Sequence, residues 1–142
     1  MVTAADGEEG LRLARTIGPD VITLDVLMPG MDGWAVLAGL KADSLLADIP
    51  VVMLTIVEEK NLGYALGAAD YLVKPLDRDH LVEVIRRHRP ERPVLVVDDD
   101  TELRGLVRRV LEREGTPWLR PRTGWSALRA PASSSRASCC WT

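Results

Sequence analysis

Three residues of this chain have the types and positions needed to take up a phosphoryl group. Asp25 closes the apolar run Val21-Ile22-Thr23-Leu24 and precedes the turn-forming stretch Met28-Pro29-Gly30-Met31-Asp32-Gly33. Thr55 closes Val51-Val52-Met53-Leu54, and Lys74 follows Tyr71-Leu72-Val73. A carboxylate, a hydroxyl and an ammonium at the ends of successive strands suit phosphoryl transfer. The carboxylate attacks, and fixed donors meet the charge spread over the transferred oxygens. Two anions must approach each other, so this chemistry calls for a divalent cation. Mg²⁺ takes a few oxygen ligands, typically carboxylates and a carbonyl. The acidic pair expected to hold it is missing upstream of Asp25 and stands far down the chain, in Asp98-Asp99-Asp100. Singly, each residue has a plainer role: Asp25 as a turn residue, Thr55 as a helix cap, Lys74 as a surface lysine. Their joint placement at three consecutive strand ends carries the chemical reading. Lys74-Pro75 is a candidate cis peptide.

The elements that must position these groups are legible in the hydrophobic pattern. Short apolar runs alternate with helical spacing, which predicts βα units and a parallel sheet. Val2-Thr3-Ala4 reads as the tail of a strand. Glu8 to Ile17 reads as a helix stopped by Gly18-Pro19. Val21–Leu24, Val51–Leu54 and Tyr71–Val73 read as strands, the first two apolar enough for burial on both faces. Trp34–Lys41 and Asp77–His88 read as helices, and Glu58–Leu66 as a weak helix interrupted by Gly63. Pro90 and Pro93 then break the chain and the pattern restarts. Val94–Val97 is a buried strand, followed by a helix with Thr101 as its cap. Leu103, Leu106, Val107, Val110 and Leu111 form its apolar stripe, and Gly115 is its stop. Trp118–Arg120 allows a short strand and Trp125–Arg129 a helical turn. The stretch from Ala130 to Thr142 has no periodicity and is expected to be disordered.

Composition narrows the function classes. The 142 residues, 46% apolar and 27% charged, suit a globular domain with a sizeable core. A net charge of −3 gives no footprint for nucleic acid. The arginines of 86–92 and 104–122 alternate with acids and read as solvated helix faces. No apolar run approaches the ~18–20 residues of a membrane span. Met1 leads into Ala5-Asp6-Gly7-Glu8-Glu9 rather than an apolar leader. Cys139 and Cys140 are adjacent and lack other zinc ligands at suitable spacing. The expectation is a cytoplasmic protein with no nucleic-acid or membrane partner.

Asp25 with Met28-Pro29-Gly30-Met31-Asp32-Gly33, then Leu54-Thr55, then Gly67-Ala68-Ala69-Asp70-Tyr71-Leu72-Val73-Lys74-Pro75 resembles the receiver domain of two-component response regulators. The resemblance covers about residues 2–88. A second, partial one covers about 93–129, where Val94-Leu95-Val96-Val97-Asp98-Asp99-Asp100 resembles the first strand and acidic pair of another receiver. The chain thus resembles the junction of two tandem receivers, as in hybrid sensor histidine kinases. The resemblance implies a three-layer, flavodoxin-like α/β fold with a parallel sheet ordered 2-1-3-4-5. It implies Asp25 as phosphoacceptor, with Thr55 and Lys74 binding the phosphoryl group. Mg²⁺ would be held by Asp25, the backbone carbonyl of Leu27, and Asp98 and Asp99, with Asp99 the more direct ligand of the pair. By the same resemblance Tyr71 would be the aromatic that rotates with the state of Thr55, and Pro75 would carry the candidate cis peptide with Lys74. The implied donor is a histidine kinase or phosphotransfer domain. Another receiver is a further candidate partner.

The departures matter. The first unit, 1–88, lacks its opening strand and helix, and the second breaks off after its second helix. Ile56 is bulkier than the small residue usual after the switch threonine. Leu27 and Val57 flank the site with apolar side chains that cannot orient an attacking water, so slow loss of phosphate is expected. The linker 89–93 extends at most ~16 Å, enough to carry Val94–Val97 into the empty slot beside Val21–Leu24. Residues 94–114 would then supply the missing strand and helix, giving a circularly permuted receiver. Filling the slot buries four aliphatic side chains at ~1.5–3 kcal/mol each before entropy is subtracted. Closure within one chain is favoured over exchange in a swapped homodimer or a detached second unit.

Three functions compete. The first is a phosphoacceptor signalling module. The second is a non-catalytic receiver fragment that only binds a partner. The third, a haloacid-dehalogenase-like phosphatase, needs an aspartate two residues after Asp25, where this chain has Leu27. Whether the self-phosphorylation of a receiver makes the chain an enzyme stays open.

Overall fold

A computed structural model of the chain describes residues 1–56, 65–88 and 91–113. The described elements are β1 (Val2–Ala4), α1 (Gly7–Ile17), β2 (Val21–Asp25), α2 (Gly33–Ala42), β3 (Val51–Thr55), β4 (Asp70–Val73), α3 (Arg78–Arg87), β5 (Val94–Val97) and α4 (Thr101–Arg113). Every strand pairing is parallel, and the order across the sheet is β1-β5-β2-β3-β4. β5, late in sequence, lies between β1 and β2. Leu95 stands opposite both Val2 and Ile22, and Val97 opposite both Ala4 and Leu24. The expected order 2-1-3-4-5 is the same arrangement once β5 is counted as the opening strand.

The core explains why β5 belongs there. The side chains of β2, β3 and β5 are buried throughout, as a central strand covered on both faces requires. Ile22, Leu24, Met53, Leu95 and Val97 pack with α1 and α2 through Ala14, Ile17, Leu37 and Leu40. On the opposite face, Val21, Val52, Leu54, Val94 and Val96 pack with α3 and α4 through Leu81, Val84, Ile85, Val107, Val110 and Leu111. Helices thus cover both faces of the sheet, the three-layer α/β architecture expected from alternating strands and helices.

Carboxylates open the helices. Asp6 caps α1 by accepting from Glu9 N, while the Glu9 side chain reaches back past the cap to accept from Ala5 N. Asp32 caps α2 by accepting from Ala35 N, and Asp77 caps α3 by accepting from His80 N. For α4 the expected cap, Thr101, is displaced by one residue. Asp100 Oδ1 accepts from Glu102 N at 2.8 Å and Leu103 N at 3.3 Å. Asp100 wins because its carboxylate reaches two amides of the first turn, whereas Thr101 Oγ1 accepts from Arg104. Leu106, expected on the buried stripe of α4, lies at its margin and is exposed. The expected helix at 58–66 lies almost wholly outside the described residues. So do Val57, the first two residues of the linker, and everything from 114 onward, including the two cysteines.

Candidate functional site

The site is built at the carboxyl ends of β2, β3, β4 and β5, where an open α/β sheet leaves its crevice. β2 delivers Asp25, which is nearly fully buried. The chain must then turn sharply into α2, and Gly33 makes this possible. Its N–H donates to the Val26 carbonyl at 2.9 Å, and a Cβ there would lie 2.1 Å from the Asp25 carbonyl oxygen. Only glycine lets the start of α2 come this close to the strand end. Leu27 N donates to Asp25 Oδ1 at 3.3 Å and orients the carboxylate. The Leu27 side chain turns outward, 58% exposed, and Ile56 after Thr55 is 60% exposed.

β3 ends at Thr55, buried, whose carbonyl accepts from Lys74 N at 2.8 Å. This bond extends the β3–β4 pairing to the lysine. Lys74-Pro75 is cis, as expected from the sequence. Lys74 Nζ lies 3.1 Å from Asp25 Oδ1 and 3.3 Å from Asp98 Oδ2. Tyr71 is buried within β4, opposite Met53 and on the α1/α2 side of the sheet.

β5 supplies the remaining carboxylates. Asp98 is fully buried and Asp99 is exposed. Carboxylate oxygens of Asp25, Asp98 and Asp99 all lie within 4.8 Å of one another. Asp98 Oδ1 accepts from Asp100 N at 2.8 Å, and its backbone carbonyl accepts from Arg104 Nη1. These bonds fix the loop that presents the pair.

The electrostatics follow from three acids meeting one base. Burial pulls the Lys74 ammonium down, but its hydrogen bond to Asp25 and the charges of Asp98 and Asp25 outweigh this and hold its pKa above the ordinary value. An isolated ion pair would hold Asp98 down. Instead burial pushes its carboxyl above the usual range, and Asp25 adds to this. The Asp100 N–H and Lys74 oppose it without prevailing. One ammonium therefore leaves the cluster under-neutralised. A hard divalent cation fits both the excess negative charge and the all-oxygen donor set.

Asp25 and Lys74, two of the three residues expected from strand ends, thus meet the displaced acidic residues, and Thr55 stands at the end of the neighbouring strand. Sequence reasoning misses Arg104, which holds the Asp98 carbonyl from the next helix turn. It also misses Asp20, whose Oδ2 accepts from both Glu91 N and Arg92 N at 2.8 Å. The partners of Asp20 lie 71 and 72 residues away and are identified only by the folded chain, while Arg104 acts on a carbonyl six residues back, a contact that no residue pattern marks.

Among the described residues no helix is long and apolar enough to cross a membrane. Residues 1–86 match the family model for the response regulator receiver domain. That match ends before β5. The chain is 46% identical over 114 residues to the alkaline phosphatase synthesis transcriptional regulatory protein PhoP of Bacillus subtilis, covering 75% of this chain and 46% of that one. The curated relatives are longer: the chain spans 41%, 34% and 36% of the length of three others. Among solved structures, the chemotaxis protein CheY4 of Vibrio cholerae is similar with a TM-score of 0.56 and 38% identity, over 59% of this chain and 72% of that one. The receiver domain of the sensor histidine kinase PA1611 of Pseudomonas aeruginosa is similar with a TM-score of 0.54 and 28% identity, over 59% and 71% of the two chains. That structure has a magnesium ion coordinated in its active-site cleft. With the residues, the fold and the family match in agreement, the chain belongs to the response regulator receiver domain family.

Proposed function

We propose that this chain is a phosphoacceptor module of two-component signalling, with Asp25 as the acceptor. The observation that carries this reading is the convergence of Asp25, Asp98 and Asp99 with Lys74 at the strand ends. An Asp25 carboxylate oxygen attacks the phosphorus of a phosphohistidine on a histidine kinase or phosphotransfer domain. The P–N bond breaks, an acyl phosphate forms, and the departing imidazole takes a proton. Lys74 leaves its contact with Asp25 to pair with a phosphoryl oxygen, and the Thr55 hydroxyl donates to another. Asp98 and Asp99, with Asp25 and the Leu27 carbonyl, would hold Mg²⁺. When bound, Mg²⁺ offsets the repulsion between the carboxylate and the incoming phosphoryl group.

Movement of Thr55 toward the phosphoryl group lets Tyr71 move with it, shifting the population between two surface states. The output is a protein contact made or lost on that surface. The DNA-binding transcriptional regulator RpaA of Synechocystis is a longer chain, 36% of which is spanned here. A receiver or kinase docking site without phosphorylation is the second reading.

Intact mass after incubation with a small-molecule phosphodonor and Mg²⁺ tests the proposal. One phosphoryl adduct is expected on the wild type, and none on Asp25→Ala or Asp99→Ala. A folded wild type without the adduct overturns the phosphoacceptor role and leaves the binding module.

A further inference from the structure

β5 presents a register problem that its own side chains do not solve. All four residues, Val94, Leu95, Val96 and Val97, are buried aliphatics. Leu95 and Val97 face the α1/α2 layer, and Val94 and Val96 face the α3/α4 layer. Register is ordinarily set by an apolar face and a polar face, because a one-residue slip exchanges them. Here a slip exchanges one aliphatic pair for another of similar size. The same slip would displace Asp98 and Asp99 by about 3.3 Å along the strand, a distance that separates a site from none.

We infer that Asp20 is a positioning residue that sets this register and so completes the phosphoacceptor site. The inference rests on the role proposed above for Asp98 and Asp99. Asp20 immediately precedes Val21, and Val21 pairs with Val94 as the first step of the β2–β5 ladder. Its Oδ2 accepts from Glu91 N and Arg92 N, both at 2.8 Å. The linker is therefore caught two and three residues before β5 begins, beside the strand against which β5 must align. The Arg92 side chain lies beside the turn between α1 and β2, its Nη1 3.6 Å from where a Cβ on Gly18 would stand. Gly18 holds φ +53° there and caps α1 through its N–H to the Ala14 carbonyl. At the far end, Asp98 N donates to the Ala4 carbonyl of β1 at 3.1 Å. β5 is thus pinned at both ends by polar bonds, and at its entry the acceptor is the Asp20 side chain.

The test compares wild type with Asp20→Ala, Asp20→Asn and Glu91→Pro, which removes one linker donor without touching Asp20. Leu46→Ala, in the α2–β3 loop, serves as a destabilised control. Two quantities are read: Mg²⁺ affinity by calorimetry, and hydrogen exchange of the strand amides. Asp20→Ala is expected to weaken Mg²⁺ binding about tenfold, in the range seen when a ligand's supporting partner is removed. It should also speed exchange in Val94–Val97 more than in β2 and β3. Glu91→Pro should do the same in smaller measure. Asp20→Asn keeps an oxygen acceptor and should retain most of the affinity. Leu46→Ala should raise exchange in all strands together and leave the affinity unchanged.

Equal affinity and equal β5 protection in wild type and Asp20→Ala overturn the inference and leave the site reading intact. A fall in affinity shared by Leu46→Ala reduces Asp20 to general stability and also overturns it. If the wild type binds no Mg²⁺, the site reading fails, and the exchange data decide by themselves whether Asp20 seats β5.

Discussion

Asp25, Lys74 and Asp98 form the smallest unit that explains the site, and their chemistry is set by shortage of positive charge. Lys74 faces two carboxylates at 3.1 and 3.3 Å. It bridges the amino-terminal segment to β5, and under the proposed function it turns from Asp25 to the incoming phosphoryl group. The lifetime of the acyl phosphate then depends on its neighbours. Leu27 is 58% exposed beside Asp25 and offers no atom to hold a water in line with the phosphorus. Phosphorylated Leu27→Asn is therefore expected to lose its phosphate about tenfold faster than wild type, by supplying an amide that orients the attacking water. The decay of the adduct, measured by intact mass after removal of the donor, checks this. Equal decay rates would show that Leu27 does not set the lifetime. Asp25, Thr55 and Lys74 are legible in the sequence because each ends an apolar run. Asp20 and Arg104 are not: Asp20 meets backbone 71 and 72 residues away, and Arg104 reaches back six residues to a carbonyl, which leaves no motif.

Elements are legible wherever burial imposes a period. β2, β3 and β5 read as continuous apolar runs and are buried on both faces. The ends of helices are less legible. Asp100 and Thr101 are both competent caps, and the longer reach of the carboxylate decides between them. Leu106 has the spacing of a core residue but falls at the edge of the buried stripe. Among the described glycines, Gly33 at the β2–α2 junction leaves the least room, because it meets backbone rather than a movable side chain. Gly33→Ala should cost about 3 kcal/mol or more, since a Cβ at that separation forces the strand end and helix apart. Urea unfolding of the variant measures the loss. A midpoint near that of wild type would mean that the junction has slack enough to absorb a methyl group, with no penalty transmitted to Asp25.

At the scale of the molecule, the sheet is completed by a strand drawn from the far side of the α3–β5 connection. β5 pairs with both β1 and β2 in one chain, and the same chain contributes all three carboxylates. Closure within the chain predicts a specific negative result. Asp25→Ala lacks the acceptor, and the double variant Asp98→Asn, Asp99→Asn lacks the acidic pair. Exchange of β5–α4 between them would rebuild one complete site, with Asp25 from one chain and the pair from the other. Their equimolar mixture is expected to take up no phosphoryl group from a small-molecule donor. An adduct on the chain that retains Asp25 would establish exchange between copies and refute closure in cis.

The strand ends, the alternation of strands and helices, and the identity of the reacting groups are all written in the order of residues. Each of these is local: an apolar run, a period, a residue type at a fixed offset. The acidic pair is visible there too, but not whether it meets Asp25. Asp25 and Asp98 are 73 residues apart (98 − 25), and no spacing in the chain brings them within 4.8 Å. The folded sheet settles that, through the pairing of β5 with β1 and β2. The reason is that four buried aliphatics specify a slot but not a register. Polar contacts between segments distant in the chain must supply the register, and such contacts exist only once the sheet has formed.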